Sequence, residues 1–294
     1  MKIEYARNNQ YDSRQFEQIG PSLFVLRADW AQASALARHR ALTMFYANGP
    51  ANPKAVFSGV SGAVMRGIPI LGEIPLKPRC YSSARRGATQ DLIRWRYSPK
   101  LPACELVDGV RVACVERVLI DLCIELDAAA CLAALNHCVF TRMTTVRKLK
   151  GYLGKHPGVP GVRRLARLLP FANAKCESPL ESLGWLSIYR SKLVLPRQQV
   201  EIKLPLGGRA GLARVDMCWD AATTPLIVEL DGKVKYKTQE DLINEKIRED
   251  GLRMLGCRVL RFLWDDVMAG KMAAKLKSIG VAERRNFGRK IPSW

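Results

Sequence analysis

A short apolar segment that ends in two carboxylates constrains the fold of this chain more than any other feature. Leu226, Ile227 and Val228 are followed by Glu229 and Asp231, which one leucine separates. Because side chains alternate along a β-strand, the two carboxylates are predicted to point to the same face. Charged groups at the end of an apolar strand are unfavourable unless a cation or bound water compensates them. The segment therefore predicts a strand that ends in a polar site.

A third carboxylate, Asp216, lies thirteen residues before Glu229 in a second segment with strand character, Arg214–Trp219. If the two strands are neighbours, the oxygens of Asp216, Glu229 and Asp231 can converge on one hard cation. Mg²⁺ suits such a site because it binds one or two carboxylates, keeps several waters and accepts substrate phosphate as a further ligand. We therefore predict a Mg²⁺ site at these three carboxylates, with Mn²⁺ as an alternative metal.

The apolar pattern around these carboxylates predicts helices interleaved with short strands. The predicted elements are a helix over 178–192, strands over 198–204, 213–219 and 226–231, a helix over 238–255, a strand over 257–263 and a helix over 265–278. This order favours an α/β fold in which helices flank a mixed sheet. The composition changes near residues 171–176, where we place a domain boundary.

The residues before this boundary are predicted to form a mostly helical α+β region. We expect a strand over 23–26, a helix over 30–47 and a β-hairpin that turns at Asp108-Gly109. Helical patterns follow over 115–125, 127–138, 144–154 and 161–169. We divide this region into residues 1–75 and a basic domain over 76–172, composed of the hairpin and the later helices.

The chain is strongly basic, with 47 Lys and Arg against 27 Asp and Glu and a net charge of +20. The stretch from Ala128 to Cys176 contains nine basic residues and no acid, and the stretch from Lys77 to Lys100 is also basic. Such surfaces attract polyanions by steering and counterion release. We predict DNA as the partner, since the acid-free stretch lacks the long amphipathic helix with aromatic anchors that favours an anionic membrane. The predicted DNA contacts are Arg94, Arg96, Arg147, Lys148, Lys150, Arg163 and Arg164.

Cysteine and histidine usage argues against a zinc site or a disulfide framework. The chain has nine cysteines without a CxxC motif, and three histidines. Most of these cysteines lie in apolar runs, so we expect small buried side chains in a reducing compartment. There is no apolar run of membrane-spanning length and no apolar signal segment after Met1. A cytoplasmic protein without membrane contact is the expectation.

Several motifs, taken in order, resemble the Vsr-related branch of the PD-(D/E)XK nucleases. The motifs are Glu177–Glu181, Arg214–Asp216, Val228–Tyr236, Glu245–Leu252 and Leu255–Phe262. Two upstream segments, Ala55–Ala63 and Val115–Leu122, are more loosely similar to AbiEi-type antitoxin-like regions, which are often fused ahead of such domains. The resemblance implies a restriction-endonuclease-like domain over 173–294 and a winged-helix-like region over 1–75. It depends on the order and spacing of all the motifs together.

The resemblance also implies an activity, which is Mg²⁺-dependent hydrolysis of DNA phosphodiester bonds, in phage defence or restriction. Asp216 and Glu229 would bind the metal with help from the carbonyl of Leu230. The metal would polarise the phosphate and activate a water. Glu181, on the first helix of the domain, would lie close to the metal, and Arg248 would contact the phosphate.

The chain departs from the family pattern at Asp231, which occupies a position where a lysine is usual. Lys233 and Lys235 are the candidates to stabilise the developing charge, or they are only solvated. Ser178 and Glu181 also form an S-x-x-E capping box, which explains the glutamate without catalysis, and Asp231-Gly232 is also typical of a turn. The alternative function is therefore a non-catalytic, antitoxin-like DNA-binding regulator that retains a nuclease fold.

Overall fold

The chain folds into two compact units, the first ending at Ala172 and the second beginning at Asn173. The structure is a computed structural model that describes residues 3–5, 12–20, 23–49, 54–84, 92–205, 211–220, 224–232 and 239–284. Residues 75 and 76, where the sequence pattern places a further division, both lie inside the first unit. No helix among the described residues is long and apolar enough to cross a bilayer.

The first unit combines two sheets with seven α-helices among its described residues. Its elements are β1 (Ile3–Tyr5), β2 (Phe16–Gly20), β3 (Leu23–Leu26), α1 (Arg27–Gln32), α2 (Ala35–Asn48), β4 (Val56–Phe57), α3 (Gly59–Met65), β5 (Arg79–Ser82), β6 (Arg94–Tyr97), β7 (Cys104–Val107), β8 (Val110–Ala113), α4 (Val115–Glu125), α5 (Ala128–Phe140), α6 (Val146–Lys155) and α7 (Val162–Leu168). The strands pair in the orders β1-β3-β2 and β6-β5-β4-β8-β7. This unit is therefore α+β, as the sequence predicts.

Local chemistry explains where several of these elements begin and end. The predicted hairpin is confirmed, because β7 and β8 pair across Asp108 and Gly109, whose φ angles of 49° and 79° are both left-handed. The single helix predicted over 30–47 is wrong. Ser34 ends the first segment and caps α2, since its hydroxyl oxygen accepts the backbone N–H of Ala37 at 3.2 Å.

The second unit is a four-stranded sheet with helices packed on it. Its elements are α8 (Pro179–Arg190), β9 (Arg197–Lys203), β10 (Leu212–Trp219), β11 (Leu226–Asp231), α9 (Gln239–Met254), β12 (Arg258–Leu263), α10 (Trp264–Met268) and α11 (Lys271–Ser278). The strand order is β12-β11-β10-β9, with β11 and β12 parallel and the other pairs antiparallel. The predicted mixed α/β architecture is confirmed. The last predicted helix is two helices, because Gly270 adopts a left-handed φ of 71° between them.

Two helices of the second unit pack against the sheet from opposite sides. On α8, Gly184 lies directly against the side chain of Leu230. On α9, Leu252 belongs to the apolar cluster that contains Ile227. Residues 227 and 230 face opposite sides of β11, because side chains alternate along a strand. Glu229 shares its face with Ile227, so the fold directs this carboxylate toward α9.

Replacing Gly184 with alanine tests the packing that positions β11. The added Cβ would lie 2.5 Å from Cδ1 of Leu230, so the leucine must shift. We expect Gly184→Ala to lower the free energy of unfolding of this unit by about 1–3 kcal/mol. Ser187→Ala on the same helix is the control, with an expected change within about 0.5 kcal/mol. Urea unfolding measures both values, and equal stability of the two variants would contradict this packing.

Candidate functional site

The structure brings together two of the three predicted metal ligands, Asp216 and Glu229. Asp216 lies on β10, and its Oδ2 accepts the backbone N–H of Leu230 on the neighbouring strand β11 at 2.8 Å. The carboxyl group of Glu229, also on β11, lies within hydrogen-bonding reach of Asp216. The antiparallel pairing of β10 and β11 is what places the two side chains side by side. We call Asp216 and Glu229 the carboxylate pair.

Glu229 is buried and has an arginine partner. Its exposed fraction is 5%, and Arg248 of α9 donates from Nη1 to Glu229 Oε1 at 3.0 Å. The same guanidinium donates from Nε to Oε2 of Glu245 at 3.1 Å and from Nη1 to the carbonyl of Arg214 at 3.3 Å. The predicted phosphate contact, Arg248, is therefore held inside the protein by two carboxylates and a carbonyl.

Asp231 lies at the edge of this arrangement. Its side chain is 43% exposed, and its Oδ2 is 3.8 Å from Nη1 of Arg261 on β12. The described residues contain no group of three or more His, Cys, Asp or Glu side chains arranged to hold a metal ion. The candidate cation site in this part of the chain is therefore the carboxylate pair, with Asp231 acting on it through its charge.

Glu181 forms half of the predicted capping box, because its side chain bonds the N–H of Glu177 rather than that of Ser178. Its backbone N–H donates to Oγ of Ser178 at 3.1 Å at the start of α8. Its Oε2 accepts the N–H of Glu177 at 3.0 Å and Nε2 of Gln199 at 2.9 Å. Glu181 is also close enough to Asp216 for the negative charge of that carboxylate to act on it. Glu181 therefore takes part in the start of α8 and also lies near the carboxylate pair.

Burial and mutual repulsion make these carboxyl groups harder to ionise. Burial, and to a smaller extent the neighbouring Asp216, together raise the pKa of Glu229 to about 7 against the opposing effect of Arg248. Burial also raises the pKa of Asp216, although the Leu230 N–H stabilises its charged form. The pKa of Glu181 is raised in the same direction, first by burial and then by Asp216. The site thus holds more negative charge than its arginine compensates.

A divalent cation would relieve this excess charge. Mg²⁺ commonly takes one or two carboxylates from the protein and keeps its remaining positions for water and phosphate oxygen. Asp216 and Glu229 fit that requirement as a pair of neighbouring oxygen donors. The predicted lysines, Lys233 and Lys235, lie outside the described residues.

Most of the predicted DNA contacts lie on the surface of the first unit. In α6, Leu149 and Leu153 are buried, so the opposite face of the helix is directed to solvent. Of the predicted contacts, the exposed ones are Arg94, Arg147, Lys148, Lys150, Arg163 and Arg164. Two of these also have partners within the protein, because Lys148 pairs with Glu116 at 3.2 Å and Arg164 donates to the carbonyl of Cys123 at 2.9 Å.

Arg96 differs from the other predicted contacts because it is half-buried beside Asp121, at 3.5 Å. Asp121 is 1% exposed and also accepts hydrogen bonds from Ser58 at 2.6 Å, Tyr81 at 2.9 Å and Arg117 at 3.1 Å. Sequence reasoning did not identify this network. Its available signal was the i,i+4 spacing of an arginine and an aspartate inside the apolar helix α4.

The first unit also contains a cavity of about 600 Å³ that sequence reasoning missed. Its wall includes Lys77, Arg79, Arg94 and Glu125. Arg79 donates to Oε1 of Glu125 at 3.0 Å, so this arginine is held by a carboxylate of the wall. The wall is formed in part by residues of α2, α3, α4, β5 and β6. Local sequence patterns do not indicate that these elements lie close together.

The raised pKa of Glu229 predicts how stability depends on pH in the metal-free protein. Between its ordinary value of 4.5 and the folded value of about 7, the folded state keeps a proton that the unfolded state has lost. The free energy of unfolding should therefore fall as pH rises through this window and should level off above it. Urea unfolding with a chelator, from about pH 5 to about pH 8, measures the slope. Glu229→Gln should reduce that slope, and an unchanged slope would contradict the assignment.

Comparison with known proteins gives two distant relatives. No family model matches the chain, and no solved structure matches it. Two uncharacterized proteins of Mycobacterium tuberculosis, from strains CDC 1551 / Oshkosh and H37Rv, are each 25% identical to it over 160 residues. Each alignment covers 53% of this chain and 57% of the relative. The chain therefore matches little more than half the length of these curated relatives.

Proposed function

We propose that the second unit is a metal-dependent nuclease domain that hydrolyses phosphodiester bonds of DNA. The observation that carries the proposal is the carboxylate pair, a buried glutamate and a half-buried aspartate from adjacent strands within hydrogen-bonding reach of each other. Such a pair is unfavourable in a structure that needs only stability, because each carboxylate raises the electrostatic cost of the other. Perturbed acidic groups of this kind are enriched at functional sites.

Asp216 and Glu229 would hold the cation, which when bound supplies Lewis-acid polarisation of the phosphate. The residues around them hold the carboxyl groups in a fixed position. The Leu230 N–H orients Asp216, and Gln199 and the Glu177 N–H orient Glu181 beside it. These bonds keep the carboxyl groups in place before substrate arrives, which is the condition for positioning a reacting phosphate.

The charge of the first unit supports nucleic acid as the substrate. Part of this unit, Ala128–Ala172, contains exposed arginines and lysines and no acidic residue. A polyphosphate backbone is the common biological polyanion that such a surface attracts, through release of condensed counterions. The proposed protein thus joins a basic surface on the first unit to a cation-binding carboxylate pair on the second.

A specific observation favours a second candidate, the non-catalytic DNA-binding regulator. Arg248 already neutralises Glu229 at 3.0 Å, and Arg261 lies 3.8 Å from Asp231. In a protein whose nuclease fold served only as a scaffold, arginines would replace the cation permanently. The two candidates differ in whether the carboxylate pair binds a divalent metal.

A cleavage assay separates these candidates. Plasmid DNA is incubated with the purified protein and Mg²⁺ or Mn²⁺, and the nicked fraction is followed on a gel. We expect Glu229→Ala and Asp216→Asn to reduce the rate by at least about 100-fold, because each removes a proposed metal ligand. Asp231→Asn serves as the comparison, with a smaller loss because its side chain lies beside Arg261. Equal nicking by wild type and Glu229→Ala, or none by either, would end the nuclease proposal.

Salt-dependent binding tests the basic surface independently of cleavage. Arg147→Ala and Lys150→Ala each remove one exposed cation of α6. Each should reduce the slope of log affinity against log salt by about 1, since one fewer phosphate is neutralised. Gel shifts on duplex and single-stranded DNA with a chelator measure the slopes. Lys271→Ala, an exposed residue of the other unit, is the control, and the same slope in all variants would place the contact elsewhere.

A further inference from the structure

Arg248 connects the carboxylate pair to α9 through several bonds. It donates to Glu229 Oε1 at 3.0 Å, to Glu245 Oε2 at 3.1 Å and to Glu245 Oε1 at 3.3 Å. Its side chain is 24% exposed, so it is not fully enclosed by the protein. An arginine with two carboxylate partners can release one of them and remain paired.

The second carboxylate, Glu245, is anchored by another arginine. Arg261 of β12 donates to Glu245 Oε1 and lies 3.5 Å from Glu249 Oε2. Glu245, Arg248 and Glu249 stand on one side of α9, at i, i+3 and i+4. Leu252, one turn further, is buried in the apolar core and fixes the helix. Glu245 is thus held in place on a packed helix, independently of the carboxylate pair.

We propose that Arg248 is a built-in counter-ion, which neutralises Glu229 when no divalent cation is bound and moves onto Glu245 alone when one binds. The inference rests on the proposed function, because it assigns a regulatory role at the same carboxylate pair. A cation and the guanidinium compete for the same oxygen, Oε1 of Glu229. The released Nη1 then becomes available to the phosphate that accompanies the cation.

This role has a thermodynamic signature. Two positive groups that share one carboxylate bind with negative coupling, and the coupling is reciprocal. Removing the guanidinium should therefore tighten cation binding in the absence of nucleic acid. A guanidinium that only braced the fold would have the opposite effect, because its loss would disorder the carboxylates.

The experiment measures binding of Mn²⁺ to the full chain without DNA, from the free-ion signal in electron paramagnetic resonance. We expect Arg248→Gln to lower the Kd for Mn²⁺ by about tenfold, a typical size for coupling between sites. Arg253→Gln is the matched control, since it removes a positive charge from the same helix. Arg253 pairs with Glu249 at 2.6 Å and its side chain is 66% exposed, so solvent and salt screen its charge. The Kd of Arg253→Gln for Mn²⁺ should therefore stay within about twofold of the wild-type value.

The outcomes separate this inference from the proposed function. If the wild-type chain binds Mn²⁺ and Arg248→Gln binds it equally or more weakly, the counter-ion role is wrong and the nuclease proposal stands. An equal decrease of the Kd in Arg248→Gln and Arg253→Gln would also overturn it, because the loss of any positive charge from α9 would then explain the tighter binding. If the wild-type chain binds no Mn²⁺, the metal-dependent proposal fails, and this inference fails with it.

A measurement on the wild-type protein covers the case in which Arg248→Gln does not fold. Nitrogen-15 spectra of arginine side chains report the bonding of the guanidinium nitrogens, and the signal to follow is that of Nη1, which donates to Glu229. Titration with Mg²⁺ should shift the Arg248 signal and leave that of Arg253 in place. An Arg248 signal that does not move at saturating Mg²⁺ would overturn the proposal.

Discussion

A carboxylate that is buried at the end of an apolar strand requires hydrogen-bond donors or positive charges around it. At Glu229 this requirement determines how several elements of the second unit are arranged. Arg248 supplies a positive charge at 3.0 Å, but Asp216 adds a second acidic group within hydrogen-bonding reach. Burying an ion pair already costs desolvation that the attraction only partly repays. An additional buried carboxylate increases that cost. Such an arrangement is better explained by binding than by stability.

The topology of the sheet creates this arrangement. β11 and β12 are parallel, so the chain must cross back over the sheet between them, and α9 makes the crossing. Leu252 fixes α9 in the core, which places Arg248, one turn earlier, beside Glu229. Arg261 lies directly opposite Glu229 in the register of the two strands and reaches Glu245 on the helix. One crossover connection thus brings both arginines to the acidic edge.

In the first unit, the charge of a buried carboxylate is compensated by the protein itself. Asp121 receives hydrogen bonds from Ser58, Tyr81 and Arg117, and Arg96 adds a second positive charge. Its charge is matched by donors from β5, β6, α4 itself and Ser58 before α3, and the network ties these parts of the unit together. Buried polar groups satisfied in this way define a single arrangement of the fold. The carboxylate pair of the second unit differs, because burial and neighbouring acidic groups raise the pKa of both its members.

Local patterns in the sequence were sufficient for several features of this protein. Side-chain alternation predicts that Glu229 lies at the end of a buried strand, and turn chemistry predicts the hairpin at Asp108-Gly109. The order of strands and helices in the second unit follows from the same periodicities, and the proximity of Asp216 to Glu229 follows from neighbouring strands. All of these depend on residues that are adjacent in the chain or on adjacent strands.

Only the tertiary structure decided which charges compensate the carboxylates. Arg248 lies within α9 and Arg261 lies beyond it, so both are distant in the chain from the residues they contact on β11, and no periodicity relates them. Their positions depend on how α9 packs on the sheet and on the register of β12. The same applies to Asp121, whose donors other than Arg117 come from distant segments. The sequence by itself determined where acidic groups enter the fold, and packing determined their partners, because pairing energies act between neighbours in space rather than in the chain.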